Sequence, residues 1–335
     1  MASPSATGHC KKGAAKFKQA NHLSQIARTF ALTLDLVILA AGLSTRYGAP
    51  KALEPIGPAG ERLTDYAIYD AVRAGFSRVI FVIRSEHEAA FRDHQAASFP
   101  PDLAVEYVFQ EVSESLSGMS VQAGRAKPWG TGHALLCAAS LVKRPFVMTN
   151  ADDFYGRPAF EHLAQHLRAA VGKQPPRFAM VSYRLCDTLS RAGGVSRAIC
   201  DVDTTSQLQN LREYHELQMV EGAIAGRSAE SGERRTFSGD EPVSMNIWGF
   251  TPDVFPILGA AFNRFRQNPG SSATTEFLIG AAVQQMVERG VASIKVLPGG
   301  LGWLGITYPS DRRRVGHALA DMVQDGQYPS PLLAI

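Results

Sequence analysis

Short apolar runs alternate with amphipathic stretches through the first half of the chain. Leu36–Ala41 (L-V-I-L-A-A), Arg78–Ile83 (R-V-I-F-V-I), Ala104–Phe109 and Arg144–Asn150 (R-P-F-V-M-T-N) each have the length of a buried strand. Between them, Thr64–Ala74 gathers Tyr66, Ala67, Ile68, Ala71 and Val72 on one helical face and meets Gly75 at its end, and Glu86–His94 also suits a helix. Strand and helix in turn, with short connections, predict a mostly parallel sheet flanked by helices. The second half reads differently. Phe178–Arg184 and Ser196–Asp203 are strands bracketing Gly193 and Gly194, and Val243–Phe250 is another. Glu221–Asp240, polar and carrying Gly222, Gly226, Gly232 and Gly239, predicts a loop. A short helix is expected from Pro252, a longer one over Thr274–Arg289 with Glu276 in its first turn and Gly290 after it, and a strand over Ala292–Leu297. No internal repeat is evident.

Composition narrows the class without naming it. The chain has 335 residues, 45% hydrophobic and 19% charged, enough for one large α/β domain or two modest ones. The 34 basic and 31 acidic residues leave a net charge of only +3, and no basic block is interleaved with aromatics, which argues against nucleic acid as a partner. No apolar run approaches membrane-spanning length, so no membrane partner is expected. Cys10, Cys137, Cys186 and Cys200 are scattered, with no C-x-x-C pair, as expected of small buried residues in a reducing, cytoplasmic setting. Residues 1–34 stand apart: Lys11, Lys12, Lys16, Lys18 and Arg28 precede any acid. Such a start suits a transit peptide, a solvated tail or an upstream extension; the reading preferred is a weakly ordered extension with no catalytic role.

The chemistry concentrates first in Leu36–Lys51, where the apolar run breaks at Gly42 into a turn carrying Ser44, Thr45, Arg46 and Gly48, with Lys51 behind Pro50. Glycines let a backbone approach a ligand, and exposed N–H groups in such a turn hold anions. Arg46 and Lys51 add cations, so the loop suits a polyphosphate at the carboxyl end of a sheet strand. It is neither of two familiar glycine loops. G-x-x-x-x-G-K-[ST] fails because Tyr47 follows Gly42 at the wrong place, and G-x-G-x-x-G fails at Ser44.

The segment resembles the opening motif of the nucleotidyltransferase superfamily, A-A-G-x-G-[ST]-R-x-x-x-x-x-K. Ala40, Ala41, Gly42, Thr45, Arg46 and Lys51 match it; Ser44 departs from the sugar-phosphate branch and looks more like the molybdopterin branch. Further on, Gly130, Thr131 and Gly132 make a tight turn into a helix starting near His133, able to meet a base edge or a phosphate. That segment resembles the G-T-[AG]-H-A turn of uridylyltransferases, which implies base contact by Gly130 and Thr131. Asp152 and Asp153 sit together at the end of a buried strand, an expensive place for two acids unless they meet a cation. Their run, A-D-D-F-Y-G, resembles the one that supplies the metal-binding aspartate of sugar nucleotidyltransferases, a role that falls on Asp152.

The resemblance extends to about Tyr328. It implies acceptor contacts from Gly194, Glu213 and Asn246, and a second metal ligand near Trp303–Asp311 (W-L-G-I-T-Y-P-S-D), with Thr307 or Asp311 as candidates. The implied fold is a Rossmann-like, mostly parallel mixed sheet flanked by helices, the nucleotide-diphospho-sugar transferase fold, with an added substrate-binding subregion. Residues 35–160 would form its nucleotide-binding half and 161–330 its acceptor-binding half. The implied reaction transfers a nucleotidyl group from a nucleoside triphosphate (UTP, dTTP or CTP) to a sugar 1-phosphate. Mg²⁺ is the cofactor, and Arg46, Lys51 and Asp152 are the catalytic group. Phosphocholine, a polyol phosphate or a phosphonate are alternative acceptors, a non-catalytic nucleotide-sugar sensor is the alternative class, and a homo-oligomer is compatible with either.

Overall fold

A computed structural model describes residues 32–42, 45–46, 49–111, 125, 127–268, 274–300 and 302–332. The expected N-terminal extension therefore lies outside the described residues, apart from its last few positions. At the centre lies β1 (Leu34–Leu39), buried along its whole length. After it come α1 (Leu63–Arg73), β2 (Phe76–Ile83), α2 (Glu88–Ser98) and β3 (Ala104–Phe109). β2 pairs parallel with β1, and β3 with β2, so the sheet grows outward on one side. The chain then returns through α3 (Thr131–Cys137) to lay β4 (Phe146–Asn150) parallel to β1 on its other side. That reversal opens a crevice at the carboxyl ends of β1 and β4, where an open α/β sheet receives ligands. α1 starts at a capping box, with Asp65 accepting from the Arg62 N–H at 2.8 Å, and ends before Gly75 at φ 92°.

After β4 a two-residue strand β5 (Asp153–Phe154) leads into α4 (Arg157–Ala170). Then come β6 (Arg177–Arg184), β7 (Val195–Val202), β8 (Leu208–Val220), β9 (Ala223–Ser228), β10 (Arg234–Phe237) and β11 (Pro242–Phe250). α5 (Val254–Gln267), α6 (Ile279–Glu288), β12 (Ser293–Pro298), β13 (Leu304–Gly305) and α7 (Asp311–Gln324) complete the described chain. β11 joins the two halves of the 11-stranded sheet: it runs antiparallel to β4 through Trp248–Phe250, to β7 through Val243–Ser244, and to β6 through Pro242–Ser244 and again through Trp248–Gly249.

The structure corrects three expectations. Glu221–Asp240 is not a loop: it contains β9 and β10, which extend the sheet past β8. The segment is polar because one face of this edge meets solvent, while Ile224, Ala225 and Phe237 are buried, with Phe237 edge-on to Tyr214 at 5.0 Å. The helix from Pro252 is not short, since α5 runs 14 residues. The helix expected from Thr274 begins only at Ile279, because Phe277 is held extended. Its N–H donates to Trp129 O (2.6 Å) and its carbonyl accepts from the Gly132 N–H (2.9 Å).

One core packs α3, α5 and α6 against the sheet around Phe146, Trp248 and Phe250. A second joins α1 to α7 and the segment after it through Tyr66, Phe154, Ile306, Val315 and Tyr328. The second core matters for the site, since it sets β13 against β5 and brings the late segment 303–307 over the end of β4.

Candidate active site

At the end of β1, the Ala40 N–H donates to Val82 O (2.8 Å) and the Ala151 N–H to Leu39 O (3.1 Å). Ala40 and Ala41 are buried and Gly42 is exposed, so the turn leaves the sheet where the sequence placed it. Thr45–Arg46 pairs antiparallel with Ala49–Pro50. Ser44, and the side chains of Thr45 and Arg46, lie outside the described residues. Lys51 opens a single 3₁₀ turn after Pro50, and its ammonium donates to Asp152 Oδ2 at 2.5 Å and to Ile306 O at 2.7 Å. The glycine-loop lysine and the strand-end aspartate, 101 residues apart, thus meet at the crevice.

Asp153 lies deeper, on β5. Asn150 Nδ2 donates to its Oδ2 at 2.8 Å, and the Tyr155 hydroxyl lies 3.2 Å away. Burial, then the neighbouring Asp152 charge, pushes the Asp153 carboxyl up to about 7. β13 packs against it across Gly305, where any Cβ would fall 2.7 Å from Asp153 Oδ1, so only glycine fits.

From the other half, β11 shifts register between Ser244 and Trp248, and Asn246 within that irregularity has φ 63°. This left-handed residue turns its amide toward β4: Nδ2 donates to Asn150 Oδ1 (2.6 Å) and Oδ1 accepts from Trp248 Nε1 (3.0 Å). Glu213, on β8, is half-buried; burial raises its carboxyl above the usual range, and its side chain makes no hydrogen bond or ion pair among the described residues.

These groups enclose one cavity of about 540 Å³, with Lys51, Asp152 and Asp153 at one end and Glu213, Asn246 and Ser196 on the acceptor-half wall. Thr131 reaches the same cavity, although its Oγ1 accepts from the Ile279 N–H at 3.0 Å, and Gly130 holds the turn at φ 96°. Of the other expected residues, Ala40, Ala41, Gly42 and Gly130 do not line it, and neither do the acceptor and metal candidates Gly194 and Asp311. Gly194 lies off the cavity, its carbonyl accepting from the Tyr308 hydroxyl at 2.6 Å. Asp311 is buried at the start of α7, where it accepts from Ser190 Oγ (3.0 Å), Thr307 N–H (3.1 Å) and Tyr308 N–H (2.8 Å). Both its oxygens are engaged in those bonds, which argues against the expected metal role; Thr307 does line the cavity. His133 is buried, and its imidazole is driven down to about 4 by burial and by the Arg125 and Arg266 charges, which suits a neutral structural group.

Sequence reasoning missed Asn150, Arg197, Trp248 and Trp303, all of which line the cavity. Arg197 had a readable signal, an arginine at an inward position between Val195 and Ile199 on an alternating strand. The donor set at the strand end fits a hard cation: two adjacent carboxylates share the cavity wall, and the charge of one raises the other.

Residues 36–143 match the MobA-like NTP transferase domain. No curated protein matches the sequence as a relative. Among solved structures, the inositol-1-phosphate CTP transferase from T. maritima is similar over 88% of this chain and 98% of its own, with 12% identity and a TM-score of 0.57. A UDP-glucose pyrophosphorylase complexed with UDP-glucose is similar over 87% and 99%, with 15% identity and a TM-score of 0.54. HddC from Yersinia pseudotuberculosis is similar over 85% and 99%, with 13% identity and a TM-score of 0.51. At such identities the structures show the fold, a nucleotide-diphospho-sugar transferase fold with a mostly parallel sheet core. The domain match adds that the chain is a nucleotidyltransferase, as its motifs implied.

Proposed function

We propose that this enzyme transfers a nucleotidyl group from a nucleoside triphosphate to a sugar 1-phosphate, releasing pyrophosphate. The observation that carries this is the single cavity joining Lys51 and Asp152 to Glu213 and Asn246. The first pair suits a polyphosphate and its counter-ion, and the second suits hydroxyl groups. A cyclitol phosphate would use the same contacts, and the likeness to an inositol-1-phosphate CTP transferase makes it the second acceptor to try.

In this reaction a phosphate oxygen of the acceptor forms a bond to the α-phosphorus, and the bond from that phosphorus to the β-phosphate bridging oxygen breaks. The attacking oxygen is already ionised, so no general base is required. The protein must align two anions and offset their charge as it moves to the leaving group. Arg46 and Lys51 would hold the departing β- and γ-phosphates. Lys51 is also drawn to Asp152, so phosphate binding competes with an existing ion pair. Asp152, with Asp153 behind it, would hold Mg²⁺, which when bound supplies positive charge to phosphate oxygens. Glu213 and Asn246 would orient the acceptor; the bond that Asn246 donates to Asn150 Oδ1 and the left-handed backbone fix the Asn246 amide before substrate arrives.

The test is pyrophosphate release with Mg²⁺, crossing UTP, dTTP and CTP against sugar 1-phosphates, inositol 1-phosphate, phosphocholine and a phosphonate. Release with one sugar 1-phosphate pair is expected. Binding of a nucleotide sugar with no release from any pair would overturn the reading in favour of a sensor.

A further inference from the structure

Arg197 is a buried cation on the acceptor-half wall of the cavity, and it has no role in the residues assigned above. It sits on β7, and its side chain is nine-tenths buried. Its guanidinium lies over the Trp303 ring at 5.1 Å, donates through Nη1 to Ser196 O at 2.8 Å and through Nη2 to Thr188 O. Those two bonds use part of a five-hydrogen donor set, and Nε is buried with no partner. No carboxylate comes within ion-pair distance of it among the described residues; Asp153, Glu213 and Asp311 act on it only at longer range. Burying a guanidinium without an ion pair is costly, and backbone carbonyls return only part of that cost.

The charges along the cavity show where the imbalance falls. Lys51 and Arg197 are the cations on its described wall. Lys51 is matched by Asp152 at the nucleotide end. Arg197 stands among Ser196, Ala198 and Glu213, and is unmatched. The two carbonyls and the Trp303 face hold the planar fork in one orientation, so little side-chain freedom is lost when an anion arrives. We infer that Arg197 is the anchor for the acceptor's phosphate, and that it restricts this cavity to acceptors carrying a phosphate or phosphonate monoester. This rests on the proposed reaction for the word acceptor, but the binding claim does not depend on turnover.

The test reads binding directly, with inorganic phosphate and glucose 1-phosphate as probes and myo-inositol as the uncharged comparison. Trp303 and Trp248 line the cavity, so quenching of intrinsic fluorescence reports occupancy. Wild-type protein should bind both phosphates and bind myo-inositol at least tenfold more weakly. Arg197→Gln should weaken both phosphates by about ten- to a hundredfold, the range for a lost charged hydrogen-bond partner. Arg197→Lys should restore part of the affinity. In turnover assays the acceptor KM should rise at least tenfold while the triphosphate KM stays within twofold. Phosphate affinity within twofold of wild type in a folded Arg197→Gln protein overturns the inference. Should both variants fail to fold, phenylglyoxal labelling of the wild type decides: phosphate should slow modification at Arg197, and an unchanged rate refutes the assignment. Loss of phosphate binding in the variant, with no pyrophosphate release from wild type, would sink the reaction and leave the anchor standing. The opposite pattern, normal turnover in Arg197→Gln, would do the reverse.

Discussion

Asp70 gives the sharpest quantitative test of the fold. It is 1% exposed on α1, accepts from the Tyr328 hydroxyl at 2.8 Å through Oδ2, and leaves Oδ1 buried without a partner. Burial is the main cause that pushes its carboxyl from 3.8 up to about 7, partly opposed by the Tyr328 hydrogen bond and the Arg157 charge. Because the folded value lies above the unfolded one, the folded state holds the extra proton between these limits. Stability is therefore fully present below about pH 4 and is lost as pH rises through about 7. At about 1.36 kcal/mol per pH unit, the whole loss is about 4 kcal/mol, of which about 2.5 kcal/mol falls between pH 5 and pH 8.

Asp70→Asn removes the titration but keeps an acceptor for Tyr328. Its amide leaves a buried N–H where Oδ1 was unsatisfied, so at pH 5 the variant should lie within about 1–2 kcal/mol of wild type. At pH 8 it should have gained about 2.5 kcal/mol relative to that difference, or roughly 4 °C in melting temperature for a chain of this size. Thermal melts at the two pH values give the double difference, in which other titrating groups such as Asp153 cancel. An Asn variant offset from wild type by the same amount at pH 5 and pH 8 would show that Asp70 does not titrate as its burial requires.

Arg46→Ala and Lys51→Ala should each lower kcat by about two decades or more with unchanged circular dichroism, the usual effect of losing a charge clamp; near-normal turnover in either would remove that residue from the mechanism. Gly305→Ala puts a Cβ against the Trp303 ring and Asp153 Oδ1 and should cost about 1–3 kcal/mol in urea unfolding. An unaltered midpoint would mean that β13 can shift freely. Asn246→Ala should raise the acceptor KM about tenfold with little change in the triphosphate KM, since it removes a fixed amide from one wall only; equal effects on both would contradict the division of the cavity.

The first half of the chain was legible because β1, β2 and β4 are buried along most of their length, β3 is a compact apolar run at the sheet edge, and the helices are amphipathic. Ala104–Phe109 appears in the structure with the boundaries its pattern gave, and α1 begins and ends within one residue of expectation. The later half was harder because its strands are one-sided or irregular. β9 and β10 look like loop in sequence, since Gly226 interrupts β9, three of the four residues of β10 face water, and Gly222, Gly232 and Gly239 flank them. Thr274–Leu278 has helical composition, but Trp129 and Gly132 take the Phe277 backbone bonds that a helix would need. Local propensity cannot register a partner that lies about 150 residues away. The same limit explains the site. Lys51 and Asp152 were nameable from motifs, whereas Arg197, Asn150 and Trp303 act through neighbours that only the folded sheet supplies.

β11 shows how one strand can serve both ends of the chemistry. Its last residues, Trp248–Phe250, continue the sheet antiparallel to β4 and carry core side chains. Its first residues pair with β7 on the acceptor side, and β6 pairs with it on both sides of the register shift. A regular strand could satisfy both pairings, but it would hold every residue to the pleat, with side chains alternating between faces. The register shift at Ser244–Trp248 breaks that alternation at Asn246, and the left-handed backbone frees its amide to bridge Asn150 and Trp248. Asn150 in turn holds Asp153. A single irregularity thus ties the acceptor wall to the carboxylates at the end of β4 by hydrogen bonds of 2.6 and 2.8 Å. A left-handed non-glycine residue costs about 1–3 kcal/mol, and it persists here because both its amide atoms are engaged. The strain and the site therefore share one cause, the need to aim one amide across a sheet that would otherwise point it elsewhere.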